Sequence, residues 1–189
     1  MDLEQKVAIV TGAGIGLGRA IAIKLAAQGA RLALWDMNLA SVEKLAAELD
    51  PHGKNAAPFQ VDVTIEPEVV AAVRATVAKF GRVDILVNNA GITRHKILEE
   101  TSLELFQQVI NVNLVAPFLC CKAVAPIMKK QQFGKIVNIA SLGGRTGRPR
   151  LSWKRWSPQA AWISAPATSA RNVPQDALYP GRWTSFPTR

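Results

Sequence analysis

The sequence predicts an α/β protein built on a doubly wound parallel sheet, with an irregular tail behind it. Through residues 1–144, short β-branched apolar runs alternate with helical stretches. Such alternation calls for parallel strands, right-handed crossovers and helices on both faces. The runs are continuously apolar instead of apolar at every second residue, as befits strands covered on both sides. After Gly144 both periods stop.

The first strand is Lys6-Val7-Ala8-Ile9-Val10-Thr11, ending at glycine. Residues 18–28 follow as a helix with Ala20, Ile21, Leu25 and Ala26 on one face, closed by Gly29. Residues 31–36 form the second strand, and 39–49 the second helix, stopped before Pro51. The third strand covers 57–62. Pro67 suits the first turn of a helix running to about Phe80. Residues 83–87 are the fourth strand. A long helical stretch covers about 103–130, with Pro117 and Pro126 as kinks or a break. Residues 135–139 are the fifth strand.

Composition bounds the function classes. The 189 residues make about one domain, and 49% hydrophobic with 20% charged residues excludes a wholly disordered chain. The start, Met1-Asp2-Leu3-Glu4, lacks a signal-peptide pattern. The longest clean apolar run, 114–121, is too short for a bilayer. A cytoplasmic protein with no membrane partner is expected. Cys120 and Cys121 are adjacent, point about 100° apart on a helix and read as small core residues. No metal-ligand spacing exists.

The net charge of +9 invites a nucleic-acid reading, but its distribution argues against one. Residues 1–144 hold 15 Lys+Arg and 13 Asp+Glu, a balance of +2; residues 145–189 hold 8 and the single acid Asp176, a balance of +7. The same tail carries six of the eleven prolines and four of the five tryptophans. A domain over 1–144 and an irregular basic tail over 145–189 follow, and prolines this dense leave no long helix in the tail.

Thr11-Gly12-Ala13-Gly14-Ile15-Gly16-Leu17-Gly18 joins the first strand to the first helix with the spacing T-G-x-x-x-G-x-G. Glycines there permit a tight turn and let backbone N–H groups approach a pyrophosphate at a helix N-terminus. A crowded helix-entry loop is the plainer alternative, which four alternating glycines after a strand disfavour. Asp36 ends the second strand. In a dinucleotide fold such a carboxylate accepts the adenosine ribose hydroxyls and repels the extra phosphate of NADP. Met37 supplies no compensating cation, so NAD is the expected cofactor in preference to NADP.

At these residues the sequence resembles the classical short-chain dehydrogenase/reductase family, with its Rossmann-like sheet, and further motifs match in order over about residues 5–149. Asp62-Val63 resembles the adenine-contacting acid. Asn88-Asn89-Ala90-Gly91 is similar to the signature that stabilises the sheet and lines the cofactor. Asn113 resembles the helix asparagine that holds a relay water, and Ser141 the serine that binds the substrate oxygen. The resemblance implies hydride transfer between NAD(H) and a secondary alcohol or ketone, in a family that is usually homo-oligomeric. The oligomer is doubtful for this chain.

The family's tyrosine and lysine, in a Y-x-x-x-K motif about 13 residues after the serine, do not appear. Position 154 is Lys154, position 158 is Pro158, and the single tyrosine, Tyr179, precedes Pro180 and Arg182. The family's last two strands are not visible either. A tail read in a shifted frame accounts for this change; a genuine divergent tail is the alternative. The readings are therefore an impaired dehydrogenase, an inactive NAD-binding remnant, or, from another class, a nucleic-acid binder using Arg145, Arg148, Arg150, Lys154 and Arg155 with Trp153 and Trp156 as stacking groups. His95-Lys96 reads as a solvated loop pair near the substrate entrance, His52 as a turn residue, and Lys129-Lys130 as a complement to a helix dipole.

Overall fold

The structure, a computed structural model, describes residues 3–94 and 96–141. His95 and the tail, including positions 154, 158 and 179 and the expectations attached to them, lie outside the described residues. The elements in chain order are β1 (Val7–Thr11), α1 (Gly16–Ala26), β2 (Arg31–Asp36), α2 (Leu39–Leu49), β3 (Ala56–Gln60), α3 (Glu66–Phe80), β4 (Ile85–Asn88), α4 (Leu103–Ile110), α5 (Ala116–Gln131) and β5 (Lys135–Asn138). A 3-10 turn at Leu98–Glu100 precedes α4, and a π-turn, Asn111–Val115, joins α4 to α5.

The five strands make one parallel sheet in the order β3-β2-β1-β4-β5. The chain starts in the middle, works outward to β3, then returns to the other side of β1. A crevice therefore opens between the C-terminal ends of β1 and β4, where ligands bind in such sheets. Successive side chains of β1 face opposite layers. Val7 and Ile9 pack with Trp35, Val69, Val73 and Val124, while Ala8 and Val10 pack with Ala22, Leu34, Val42 and Leu45. All of β1 is buried, which is why its run is apolar without alternation.

One buried carboxylate sets the start of the sheet. Asp84 Oδ2 accepts the Val7 N–H at 3.0 Å, the Asp84 N–H donates to the Val7 carbonyl, and the Asp84 carbonyl accepts from Lys135. Arg82 closes the other side with Nε and Nη2 donating to the carboxylate at 2.7 and 2.6 Å. The Gln131 side chain then ties the end of α5 to Val83, accepting its N–H and donating to its carbonyl.

The structure departs from the sequence reading in several places. Helix α1 begins at Gly16, inside the glycine loop, and β3 ends at Gln60, so Asp62 stands beyond the strand. Neither Pro117 nor Pro126 breaks the long helix. Pro117 sits in the first turn of α5, where its missing N–H is least needed, and the irregularity lies upstream in the π-turn. The continuous stretch Leu103–Gln131, 29 residues, is long and apolar enough by composition to cross a membrane. The short apolar run hid this because Asn111 and Asn113 interrupt it without adding charge. Its second half nevertheless packs as a core helix, with Leu119, Cys120, Val124 and Met128 buried against α3 and β4.

Candidate functional site

At the end of β1 the chain turns through glycines. Gly12 has φ +63° and Gly16 φ +56°, the left-handed region that glycine enters without penalty. A Cβ at Gly18 would collide with the Gly12 carbonyl and the Asn89 carboxamide. Above Gly16, by contrast, a Cβ would meet nothing within 4 Å. Helix α1 begins at that opening, with Ile15 at its N-cap, no side-chain cap and no acid in its first turn. Among the described residues no side chain claims its first N–H groups, which suit an anion. Helices α2 and α4 differ, since Asn38 and Ser102 cap them.

Thr11 is buried and works from behind this loop. Its hydroxyl accepts the N–H groups of Asn89 and Ala90 at 3.0 Å each and lies 3.4 Å from the Val87 carbonyl, to which it donates. Asn89 Nδ2 donates to the carbonyls of Thr11 and Gly12 at 3.0 and 3.1 Å. The glycine loop and the Asn88–Gly91 segment thus hold each other at one spacing. At the tip of β2, Asp36 Oδ2 accepts the Gly14 N–H at 2.9 Å and Oδ1 accepts the Asn38 N–H at 3.0 Å. Asp62 Oδ1 accepts the N–H and hydroxyl of Thr64, while the Asp62 N–H donates to Glu68.

These groups surround a cleft of about 950 Å³. Gly12, Ile15, Gly16, Asp36, Asp62, Val63, Asn89, Ala90 and Gly91 all line it. Thr11, Gly14, Gly18, Asn113 and Ser141 do not. The first three support its wall. The Asn113 side chain is committed to the backbone of Ile92, accepting its N–H and donating to its carbonyl at 2.9 Å each. Ser141 stands three residues beyond β5, at the same end of the sheet.

Sequence reasoning missed the wall supplied by α4 and its neighbours: Glu104, Gln107, Gln108 and Asn111, with Arg94 across from them on the loop after Gly91. The signal was present as a polar set at helical spacing. Ser102 and the backbone N–H of Glu104 itself hold the Glu104 carboxyl below the usual carboxylate range, the backbone contact being the larger cause.

The family pattern of the short chain dehydrogenases matches residues 6–153. The chain belongs to this family. An uncharacterised oxidoreductase of Bacillus subtilis strain 168 is 46% identical over 145 residues, which are 77% of this chain and 56% of that protein. A 3-oxoacyl-[acyl-carrier-protein] reductase of Thermotoga maritima is 38% identical over 186 residues, 96% of this chain and 75% of that protein, so this match runs on into the tail. In structure, a 3-ketoacyl-(acyl-carrier-protein) reductase of Brucella melitensis complexed with NADH superposes with a TM-score of 0.74 at 39% identity. That match covers 80% of this chain and 63% of the Brucella chain. This short-chain dehydrogenase chain therefore spans under two thirds of the Bacillus and Brucella proteins.

Proposed function

We propose that the chain binds NAD(H) in this cleft, in preference to NADP(H), as the cofactor-holding part of an oxidoreductase for small alcohols or carbonyl compounds. The observation that carries the reading is the N-terminus of α1, uncapped by any side chain among the described residues and open above Gly16, beside the Asp36 carboxylate at the tip of β2. Both Asp36 oxygens hold backbone N–H groups and keep a lone pair for ribose hydroxyls. The carboxylate repels a 2′-phosphate, and Met37 offers it no cation. The Brucella relative's NADH supports the cofactor class, and the two reductase names support a carbonyl substrate. A cytoplasmic setting suits such a cofactor.

When bound, the nicotinamide supplies the hydride chemistry. Ser141 hydrogen-bonds the substrate oxygen. Asn113 is a positioning residue: its side chain fixes Ile92, and its carbonyl is the acceptor for a relay water, because Pro117, four residues on, has no N–H to give it. With Lys154 and Pro158 where a tyrosine and lysine are needed, no phenol of tuned acidity serves the proton step. Loss of a positioned acid/base costs about 10²–10⁴-fold, so turnover by this chain stays at background.

Calorimetry with NADH and NADPH tests the binding. NADH should bind more tightly, and Asp36→Asn should narrow the gap. Equal affinities would refute the preference, and no binding of either would refute the cofactor reading. Robust NAD(H)-dependent turnover of a ketone or alcohol panel, abolished by Ser141→Ala, would refute the catalytic part.

A further inference from the structure

The charge balance of +2 over residues 1–144 conceals a division between the two ends of the sheet. In a parallel sheet every strand starts at the end where the preceding helix stops, and the cleft opens at the other end. At the starting end, segments 3–6, 24–31, 50–55, 79–84 and 129–135 hold nine Lys+Arg against three Asp+Glu; the rest of residues 1–144 hold six against ten. Helix dipoles account for Lys24, Lys79, Lys129 and Lys130, which stand in last turns. They do not account for Lys6, Lys54 and Lys135, which stand in the loops and at a strand start. Two of the three acids do not neutralise this face. Asp84 is buried and belongs to Arg82, and Asp50 spends its carboxylate on the N–H groups of His52, Asn55 and Ala56. Among the described residues none of the seven lysines is in an ion pair. The two arginines are engaged: Arg82 with Asp84, and Arg31 over the Phe80 ring. Lys6 Nζ lies 4.4 Å from the centre of the Phe133 ring, which is 38% exposed.

We propose that this end of the sheet binds the sugar–phosphate backbone of a single-stranded polynucleotide, without regard to base sequence and apart from the cofactor cleft at the opposite end. The kind of cation selects the partner. Lysine is a point charge on a flexible stem and meets phosphates in many registers. Protein interfaces are poor in lysine and rich in arginine and aromatic residues. A membrane surface calls for apolar anchors beside the charge, and Phe133 is the one large exposed hydrophobic residue in these segments. From Lys54 before β3 to Lys135 on β5 the face crosses four strand spacings, about 19 Å, which is room for several consecutive phosphates. Phe133, held under Lys6, offers its remaining surface to a base. Binding of this kind is weak, steeply salt-dependent and sequence-independent.

Fluorescence anisotropy of the full chain with labelled oligouridine, and with labelled oligothymidine, tests this and tells RNA from DNA. At about 50 mM salt both should bind, and log K should fall linearly with log salt. Lys79→Gln/Lys129→Gln/Lys130→Gln/Lys135→Gln removes four phosphate contacts. It should make that slope shallower by about 3, with circular dichroism and NADH affinity unchanged. Lys44→Gln/Arg74→Gln/Lys96→Gln, which removes charge elsewhere on the domain, should leave the slope as it was. The basic tail is a separate source of binding, so the four-lysine effect should persist when Arg148, Arg150, Lys154 and Arg155 are all changed to Gln. Saturating NADH should not displace the oligonucleotide. In the unmutated chain, bound oligonucleotide should shield Lys79, Lys129 and Lys130 from acetylation but not Lys44 or Lys96, a mass-spectrometric readout that depends on no variant folding. Absence of binding at low salt overturns the proposal, as does displacement by NADH. So do an unchanged slope in the four-lysine variant, loss of all binding in the tail variant, or no shielding of the three lysines. Equal binding of polyglutamate or of phosphatidylserine vesicles would overturn the choice of partner.

Discussion

Arg82→Met isolates the carboxylate that aligns the sheet. Asp84 is fully buried, and in the variant it keeps the Val7 N–H at 3.0 Å but loses both guanidinium bonds. Removing one partner of a buried ion pair costs about 3–5 kcal/mol, because a charge is left uncompensated. The Arg82 side chain is 39% exposed, so water screens part of this, and the lower end, about 3 kcal/mol, applies. Methionine retains the aliphatic packing of the arginine stem, which confines the loss to the charge. Against a domain stability of about 5–15 kcal/mol, the fall in the urea midpoint should be large. Asp84→Asn in the Arg82→Met background should recover much of it, giving a coupling of about 2–3 kcal/mol in a double-mutant cycle. A destabilisation under about 1 kcal/mol, or no coupling, would show that the pair behaves as a surface salt bridge and that Asp84 is held by Val7 alone.

Three further outcomes are expected. Gly18→Ala drives a Cβ into the Gly12 carbonyl, so it should cost about 1–3 kcal/mol and abolish NADH binding; unchanged melting and affinity would refute the close approach. Backbone N–H groups, that of Asn55 foremost, hold the Asp50 carboxyl below its ordinary value of 3.8. This stabilisation is complete above 3.8 and is lost as pH falls through the lower folded value. The protection of the Asn55 and Ala56 amides, relative to their intrinsic exchange at each pH, should therefore fall below about pH 4 and not do so in Asp50→Asn; the same pH dependence of protection in both would count against it. Burial, with a smaller contribution from Cys121, pushes the Cys120 thiol up to about 12, so alkylation of the native chain near about pH 8 should label Cys121 alone, and equal labelling by mass spectrometry would contradict the packing of α5.

What the sequence revealed divides along a physical line. Strands β1, β2 and β4 were legible because burial on both faces forces continuous apolar runs, and the glycine loop because backbone geometry there admits few alternatives to glycine. Asp36 was legible as the last residue of a strand. The α4 wall was harder to see, since Glu104, Gln107 and Asn111 carry no motif and only the fold brings them to the cleft that Gly91 and Ile92 also line. Asn113 is expected from its position to hold a relay water, and the structure shows its side chain committed elsewhere. Two hydrogen bonds to Ile92 spend the side chain on loop placement, a pairing that no spacing in the sequence announces. The long helix was legible at close to its full length, but its membrane-length apolar character was not, because Asn111 and Asn113 bound the unbroken apolar run without adding charge.

Cofactor binding and proton transfer are separable in this architecture for a topological reason. Every described residue that lines the cleft comes from residues 12–112, that is, from β1 through the π-turn, and the crevice is already closed around when the chain enters α5. The groups proposed to face the substrate come afterwards. Ser141 follows β5, and the acid/base of the family follows Ser141. Damage or divergence after Gly144 can therefore remove the chemistry while the glycine loop, Asp36 and the Asn88–Gly91 segment keep their mutual hydrogen bonds. A family match over residues 6–153 registers the first part almost entirely. Because Lys154 and Pro158 fall just past that span, the likeness is strongest where the nucleotide is held and carries least weight where the proton must move. Binding and turnover must be measured separately, and the first should survive in this chain without the second.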